Sequence, residues 1–293
     1  MKNSLLKKID LAAVCGVLLS VMMTVSVEAK NEDSIQIKGS DTMVNLVQGW
    51  SEEFMKKNPE AFVAVTGGGS GTGIAALING TCDIAASSRE VKSKEKELAS
   101  KKGVVPQEYK VALDGLAVVV HKNNPVSELT LDQLAAIFSG KIKNWKELGG
   151  ADLNIVVLSR EVNSGTHVYF KEHVLRKNDP ASKEEFSPDA LLLPSSQAIA
   201  DEVLHNPSAI GYYGMGYIGK DHKAIRVSKD PSSKSVYPTI ADVISGQYPI
   251  SRPLYLYTQG EPVGQVKALM DFILSKEGQS IVSTMDFVPI RKD

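Results

Sequence analysis

The chain has 293 residues, of which 43% are hydrophobic and 23% are charged, and its net charge is −1. Such a composition is ordinary for a globular protein, and the length accommodates two domains of typical size. The charges are balanced and only 6% of the residues are aromatic, which argues against a basic surface that stacks on bases. We therefore expect no nucleic acid partner.

The first 29 residues have the pattern of an export signal. Lys7 and Lys8 precede an apolar stretch over residues 11–27, which ends in the sequence Val27-Glu28-Ala29. A positive start, a short apolar core and a small-residue cleavage site are typical of secretory signal peptides. We predict a signal peptide over residues 1–29, cleavage after Ala29 and a periplasmic protein. A retained membrane anchor is the alternative, for which the apolar stretch is short.

The next part of the chain repeats one unit three times: a short apolar strand, a turn rich in Gly, Ser and Thr, and a helix. The strands are predicted over 35–37, 62–65 and 83–86, the turns over 39–42, 67–73 and 87–89, and the helices over 43–55, 74–78 and 92–102. Strands that alternate with helices predict an α/β fold with a mostly parallel sheet flanked by helices. In such sheets ligands bind beyond the carboxyl ends of the strands, where turns meet helix N-termini.

The remainder of the chain continues with strands and helices in mixed order. Strands are predicted over 110–114, 116–120, 155–158, 209–213, 225–227 and 254–257, and helices over 131–138, around 168–175 and over 263–275, the last one ending at Gly278. This order predicts two domains joined by crossing hinge segments. The first domain comprises residues 30–114 together with 224–293, and the second comprises residues 115–223.

Four turns carry the groups that bind a tetrahedral oxyanion. Helix N-termini offer unpaired N–H groups and a partial positive charge, and glycine lets the backbone approach the anion. Ser and Thr add hydroxyl donors, and the planar arginine side chain can bind two oxygens at once. We predict that one site is formed by Ser40, Thr42 and the Met43 amide, by Ser70 with the Gly71 and Thr72 amides, by Ser88, and by Arg160 with Ser164, Gly165 and Thr166.

Motifs for other ligands are incomplete. Residues 214–219 match the glycine spacing of a dinucleotide-binding turn, but the polar sequence 220–223 follows instead of an apolar helix. The turn over 67–73 lacks the lysine of a nucleotide P-loop, and the five histidines show no metal-binding spacing, with His167 expected at the surface. A paired nucleophile and base is not found either. We therefore predict no cofactor, no metal, no catalytic residue and no enzymatic activity.

Six motifs occur in an order that resembles the PstS-type phosphate-binding proteins. They are GSDT at 39–42, GGSGTG at 68–73, DIAASSR at 83–89, FSGKIKNW at 138–145, Arg160 with NSGT at 163–166, and AIGY at 209–212. The resemblance covers essentially the whole chain after residue 29. It implies a two-domain type II periplasmic binding protein fold that closes on inorganic phosphate and presents it to an inner-membrane ABC permease.

The resemblance also implies which positions contact phosphate. Carried over one by one, they are Thr42 with the Met43 amide, Ser70, Arg160, and Ser164 with Gly165 and Thr166. The sequence thus predicts an exported, monomeric receptor that captures phosphate and delivers it to a permease. Three alternatives stay open: a receptor for another oxyanion such as sulfate or a molybdate-like ion, a phosphate-ester hydrolase, and a signalling or adhesion module with a degenerate cleft.

One position departs from the pattern of the family that the chain resembles. Ser88 stands where the best-known members have an aspartate, which accepts the proton of phosphate and repels fully ionised sulfate, because two facing acceptors stay unpaired. We hypothesise that Asp41 supplies the missing acceptor; alternatively, Asp41 only caps its helix. The neighbouring Arg89 would either add positive charge to the site or form an ion pair with Asp83 or Asp114.

Overall fold

The computed structural model describes residues 34–290, so the predicted signal peptide and its cleavage after Ala29 lie outside the described residues. The strands are β1 Ser34–Gly39, β2 Phe62–Thr66, β3 Ile84–Ser87, β4 Pro106–Val120, β5 Glu128–Thr130, β6 Val156–Arg160, β7 Leu191–Leu193, β8 Ala209–Gly214, β9 Lys223–Ala224, β10 Arg226–Ser228 and β11 Ser251–Gln259. The helices are α1 Val44–Lys57, α2 Ser70–Ile78, α3 Ser93–Lys101, α4 Leu131–Phe138, α5 Gly165–Phe170, α6 Ser196–His205, α7 Ile240–Ile244, α8 Gly264–Leu274 and α9 Lys276–Thr284. None of the helices between residues 34 and 290 combines the length and the apolar character that a membrane crossing needs.

A nine-stranded sheet runs through the described part of the chain, in the order β2-β1-β3-β11-β4-β8-β6-β7, with β9 pairing β4 beside this path. Strands β5 and β10 form a separate two-stranded sheet. Its outer strands are parallel, because β1 pairs with β2 and β3, and β6 pairs with β7 and β8, in that sense. In the centre, β11 pairs antiparallel with β3 and with β4, and β4 pairs antiparallel with β8. The sheet is therefore parallel on both flanks and antiparallel in the middle.

Strand β4 belongs to both flanks of the sheet. Its residues 106–115 pair with β11, whereas its residues 116–120 pair with β8. We call β2, β1, β3, β11 and residues 106–115 the first half, and residues 116–120 with β8, β6 and β7 the second half. The sequence suggested two strands, at 110–114 and 116–120, but the structure has one, which continues through Gly115. A Cβ atom at Gly115 would lie only 2.8 Å from a methyl carbon of Val243.

Helices cover both faces of each half. In the first half, α1, α8 and α9 pack on one face around Trp50 and Phe54, and α2 and α3 cover the other face. In the second half, α4 and α5 pack on one face through Phe138 and Phe170, and α6 packs on the other through Ile199 and Val203. This three-layer arrangement directs the carboxyl ends of the parallel strands of both halves toward the junction between them. The domain boundaries inferred from the sequence remain predictions.

The end of the chain differs from the expected single helix over 263–275. Two helices, α8 and α9, occupy this region, and Gly278 lies inside the second of them rather than at the end of the first. The Ser275 hydroxyl begins α9 by accepting a hydrogen bond from the Gly278 amide, 3.2 Å away. A Cβ atom at position 278 would lie 2.2 Å from the Phe272 carbonyl oxygen. Gly278 therefore allows two successive helices to meet at a tight angle.

Phe170→Ala should lower the free energy of unfolding by about 3–5 kcal/mol. The Phe170 ring is fully buried and stacks on the Tyr212 ring, with 4.0 Å between the ring centroids. Phe62→Ala is the matched control, since it removes the same side chain where 60% of it is exposed, and it should cost less than about 0.5 kcal/mol. Denaturant unfolding of both variants measures the difference, and equal losses would contradict this view of the core.

Candidate anion-binding site

Turns of the first half meet the start of α5 in the second half. The Thr42 and Thr166 hydroxyl oxygens are 2.8 Å apart, and the Ser70 and Ser88 hydroxyl oxygens are 3.3 Å apart. Gly165 lies against the serine pair, because a Cβ atom there would be 2.3 Å from Ser70 Oγ and 2.6 Å from Ser88 Oγ. These contacts bring together five residues that are distant in the sequence. Thr42, Ser70, Ser88, Gly165 and Thr166 therefore form one cluster between the halves.

We call this cluster, together with the guanidinium of the last residue of β6, the socket: Thr42, Ser70, Ser88, Arg160, Gly165 and Thr166. Its polar side chains are almost fully shielded from solvent, with exposed fractions of 0% for Thr42, Ser70 and Ser88 and 1% for Arg160 and Thr166. Hydroxyl groups buried in this way form hydrogen bonds with each other or with a ligand, because leaving them unpaired away from water costs free energy. Burial also strengthens their electrostatic interaction with a charged ligand.

Arg160, the last residue of β6, is held in one orientation. Its Nη2 atom donates to Asp41 Oδ2 and to the Pro194 carbonyl oxygen, each at 2.7 Å. Its Nε atom donates to the Leu193 carbonyl oxygen at 3.2 Å, and Nη1 donates to Ser196 Oγ at 3.3 Å. The segment from Leu193 to Ser196, which connects β7 to α6, thus fixes the orientation of the guanidinium through three of these contacts. Part of this segment belongs to elements that were missed in the sequence, namely β7 and α6.

Asp41 connects the halves instead of serving as a plain helix cap. Its Oδ2 atom pairs with Arg160, and its Oδ1 atom accepts a hydrogen bond from the Gly68 amide at 2.9 Å. The Tyr217 hydroxyl of the second half donates to the Asp41 carbonyl oxygen at 2.7 Å. The cap alternative inferred from the sequence is therefore replaced by an ion pair across the junction.

Several predicted donors are engaged within the protein. The Met43 amide donates to the Ser40 carbonyl oxygen at 3.0 Å. The Gly71 amide donates to the Asn163 carbonyl oxygen at 3.0 Å, and Asn163 Nδ2 donates to Thr72 Oγ1 at 3.2 Å. The glycine turn therefore receives the loop before α5, and the contacts of Gly71 and Thr72 with Asn163 join the two halves.

Ser40 and Ser164 also lie at this junction and are buried. The Ser164 hydroxyl caps α5 by accepting hydrogen bonds from the Thr166 amide at 3.2 Å and the His167 amide at 3.4 Å. The Ser40 amide donates to the Ala86 carbonyl oxygen at 2.8 Å. Their contacts shape the turns that carry the socket hydroxyls.

Arg252 is a residue of this region that the sequence interpretation missed. It lies in β11, is 3% exposed, and donates through Nη2 to Thr166 Oγ1 at 2.9 Å. Its Nε and Nη2 atoms also donate to Asp114 Oδ2 at 3.2 and 3.0 Å. Burial raises the pKa of the Asp114 carboxyl, and the Arg252 guanidinium opposes this rise. The sequence contains a signal for this residue, because Arg252, like Arg160, is an arginine near one end of an apolar strand.

Arg89 takes neither of the partners expected from the sequence. Its Nη1 and Nη2 atoms donate to the two carboxylate oxygens of Glu95 at 2.8 and 2.7 Å. Asp83 Oδ2 instead accepts the Gln36 amide at 2.8 Å, and Asp114 pairs with Arg252. The charge of Arg89 is thus balanced by α3, outside the socket.

His167 is buried, in contrast to the surface location expected from the sequence. Only 4% of it is exposed, its ring lies 4.5 Å from the Phe186 ring, and Nδ1 is 3.2 Å from Ser159 Oγ. Burial disfavours the charged imidazolium and lowers the pKa of His167 to about 4. Within residues 34–290, His, Cys, Asp and Glu side chains form no cluster of three or more that could hold a metal ion.

Comparison with known proteins independently supports the family resemblance that the sequence motifs indicate. Residues 24–277 match a family model described as a PBP superfamily domain. The phosphate-binding protein PstS of Bacillus subtilis (strain 168) is 35% identical over 285 residues, which cover 96% of this chain and 90% of that protein. The phosphate-binding protein PstS of Pseudomonas aeruginosa (strain UCBPP-PA14) is 33% identical over 269 residues, covering 86% of this chain and 81% of that protein.

Two solved structures have similar folds. One is described as a phosphate ABC transporter substrate-binding protein from Clostridium perfringens with bound phosphate; its TM-score is 0.79 at 34% identity, over 88% of this chain and 100% of that one. The other is an ABC-type phosphate transport receptor from Vibrio cholerae, with a TM-score of 0.68 at 31% identity, over 87% of this chain and 99% of that one.

The stability of the protein should fall as the pH decreases from about 6.5 to about 4. Folding lowers the pKa of His167 to about 4, so the unfolded chain binds a proton in this range that the folded chain does not, and acid favours unfolding. Thermal unfolding across this range should show a smaller pH dependence for His167→Gln than for the unmodified protein. His205→Gln, at an exposed position, should leave the dependence unchanged; equal slopes for all three proteins would exclude the titration of His167.

Proposed function

The chain belongs to the family of PstS-type phosphate-binding proteins, and from this membership and the socket we propose that it captures inorganic phosphate and delivers it to an ABC permease. The observation that carries the proposal is the meeting of four buried hydroxyl groups between two halves of the molecule, with the buried Arg160 guanidinium bound to Asp41, the neighbour of Thr42. Hydroxyl and guanidinium groups are donors suited to the oxygens of a tetrahedral anion.

The expected affinity is compatible with this set of donors. Hydrogen bonds to charged groups contribute about 1.5–3 kcal/mol each, and micromolar binding requires about 8 kcal/mol in total. The hydroxyls of Thr42, Ser70 and Ser88, with Arg160, offer such bonds to offset the desolvation of the anion. Ser70 also begins α2, whose N-terminal amides favour negative charge.

Contacts between the halves account for capture and release. Thr42 with Thr166, Asp41 with Arg160, and Gly71 with Asn163 all join residues of the first half to residues of the second. Phosphate enters and leaves when these contacts separate, and it strengthens them when it lies between the halves. A permease that pulls the halves apart would therefore release the ligand.

A binding role is favoured over hydrolysis of phosphate esters. The relatives are named as binding proteins, and the serine–histidine contact near the socket is placed unfavourably for catalysis. Ser159 Oγ is 3.2 Å from His167 Nδ1 but also 2.7 Å from the Tyr212 hydroxyl. Successive residues of a strand face opposite sides, so Ser159 points away from the side on which Arg160 meets the socket. Export to the periplasm and a monomeric state complete the proposal.

Asp41 is our proposal for the acceptor that distinguishes phosphate from sulfate. Its two carboxylate oxygens receive one donor each, from Arg160 and Gly68, and a carboxylate has about four acceptor positions. It can therefore also accept the proton of phosphate, a contact that fully ionised sulfate cannot make. Ser88, at the position of the family aspartate, offers a hydroxyl, which accepts or donates.

Arg160→Ala should weaken phosphate binding at least about tenfold, or roughly 1.4 kcal/mol, because it removes the guanidinium at the end of β6. The protein is first stripped of ligand by reversible unfolding and then titrated calorimetrically with phosphate and sulfate between pH 5 and 8. Arg226→Ala is the control, since Arg226 is partly exposed and pairs with Glu128. Absence of heat with either anion in the unmodified protein would reject the proposed function.

Asp41→Asn should reduce the ratio of phosphate to sulfate affinity at least about tenfold, because an amide nitrogen can donate to sulfate while a carboxylate repels it. The ratio is the useful quantity, since the weaker hold on Arg160 affects both anions alike. The same calorimetric titration measures it at pH 7. An unchanged ratio would show that Asp41 is not the discriminating acceptor.

A further inference from the structure

Arg252 carries a buried hydrogen-bond donor that no residue of the described chain satisfies. Its Nη1 atom is buried and has no hydrogen-bond partner between residues 34 and 290, although the Nε and Nη2 atoms of the same group are bonded. A buried charged donor without a partner costs free energy, and such groups are few in native proteins. This donor lies beside the socket.

The planar geometry of the guanidinium gives the direction of this donor. The Nε and Nη2 atoms form one edge of the group and bind Asp114, while the two terminal nitrogens form the next edge with parallel N–H bonds. Nη2 uses its bond on that second edge to reach Thr166 Oγ1 at 2.9 Å. The matching N–H bond of Nη1 therefore points to the same side as the Thr166 hydroxyl, which belongs to the socket.

Two neighbours fix Arg252 in this orientation. Asp114 is fully buried and accepts from the side of the guanidinium, while its other oxygen accepts the Met215 amide at 3.1 Å. The Tyr169 ring lies under the guanidinium plane, 5.4 Å from its central carbon, and the Tyr169 hydroxyl donates to the Ser251 carbonyl oxygen at 2.6 Å. A cation over an aromatic face is attracted to it, so the group is both neutralised and oriented.

The contact with Arg252 also sets the direction of the hydroxyl groups. Thr166 Oγ1 accepts from Arg252, so its own hydrogen is available for Thr42 Oγ1, 2.8 Å away. The Thr42 hydroxyl then keeps its hydrogen for a third group. Hydrogen bonds arranged in such a chain polarise one another in a medium of low dielectric constant. Arg252 thus favours a donor at the end of the chain, where an anion requires one.

We propose, on the basis of the proposed phosphate-binding function, that Arg252 is a second anion-binding guanidinium, which donates to the bound oxyanion through Nη1. It also orients the two hydroxyls, so that Thr166 donates to Thr42 and Thr42 donates to the oxyanion. Asp114 is its counter-ion and does not touch the ligand. The site then contains two guanidinium groups, each balanced by its own carboxylate: Arg160 by Asp41 and Arg252 by Asp114. Affinity comes from oriented donors rather than from surplus positive charge.

The test removes the pair as a unit, since a lone buried Asp114 charge would destabilise the fold. The double variant Arg252→Gln with Asp114→Asn should bind phosphate at least tenfold more weakly in calorimetry. The matched control, Arg89→Gln with Glu95→Gln, removes another shielded ion pair, in which 8% and 20% of the two side chains are exposed, and should stay within twofold of the unmodified protein. Thermal unfolding without ligand checks that both variants are folded.

A second variant covers the case in which the double variant does not fold. Arg252→Lys retains the positive charge beside Asp114 but has no fork of parallel N–H bonds, so it should also weaken phosphate binding about tenfold while its ligand-free unfolding temperature stays close to the original. Unchanged phosphate affinity in a folded variant would overturn the role of Arg252. Failure of the unmodified protein to bind phosphate in the same titration would instead reject the proposed function.

Discussion

The ion pair between Arg160 and Asp41 is the interaction on which the site depends. Arg160 is 1% exposed and belongs to the second half, while Asp41 belongs to the first, and their charged atoms are 2.7 Å apart. A buried guanidinium requires a partner of opposite charge, because an unpaired one is strongly destabilising. The turn that carries Asp41 and the loop between β7 and α6 both contribute to satisfying this requirement, by holding the two charged groups together across the junction.

The two ion pairs near the socket differ in how they relate to motion. Arg252 and Asp114 lie on neighbouring strands of the first half, so they stay together in the proposed separation of the halves. Arg160 and Asp41 lie on opposite sides and part with them. The first pair is therefore independent of the proposed opening, whereas the second requires the two halves to be together. A ligand that stabilises closure does so in part by keeping Arg160 beside its carboxylate.

The sequence was informative where the signal is local. Glycine, serine and threonine after apolar strands predicted the turns at Thr42, Ser70 and Ser88 and the start of α5, because strand ends and helix caps are encoded within a few residues. The pairing of Arg252 with Asp114, 138 positions away, depends on which strands become neighbours, and a single sequence does not contain that information. The pairing of Arg89 with Glu95 is local, but Asp83 lies at the same separation of six positions on the other side of Arg89. Sequence distance alone therefore does not decide between these two partners.

The continuity of β4 across both halves has a mechanical consequence. A hinge made of loops bends without disturbing hydrogen bonds, but here a single strand pairs with β11 below Gly115 and with β8 above it. In the proposed opening, rotation of one half against the other would twist this shared strand. The hydrogen bonds that β4 makes on both sides of Gly115 would oppose such a twist and favour the arrangement of the halves described here.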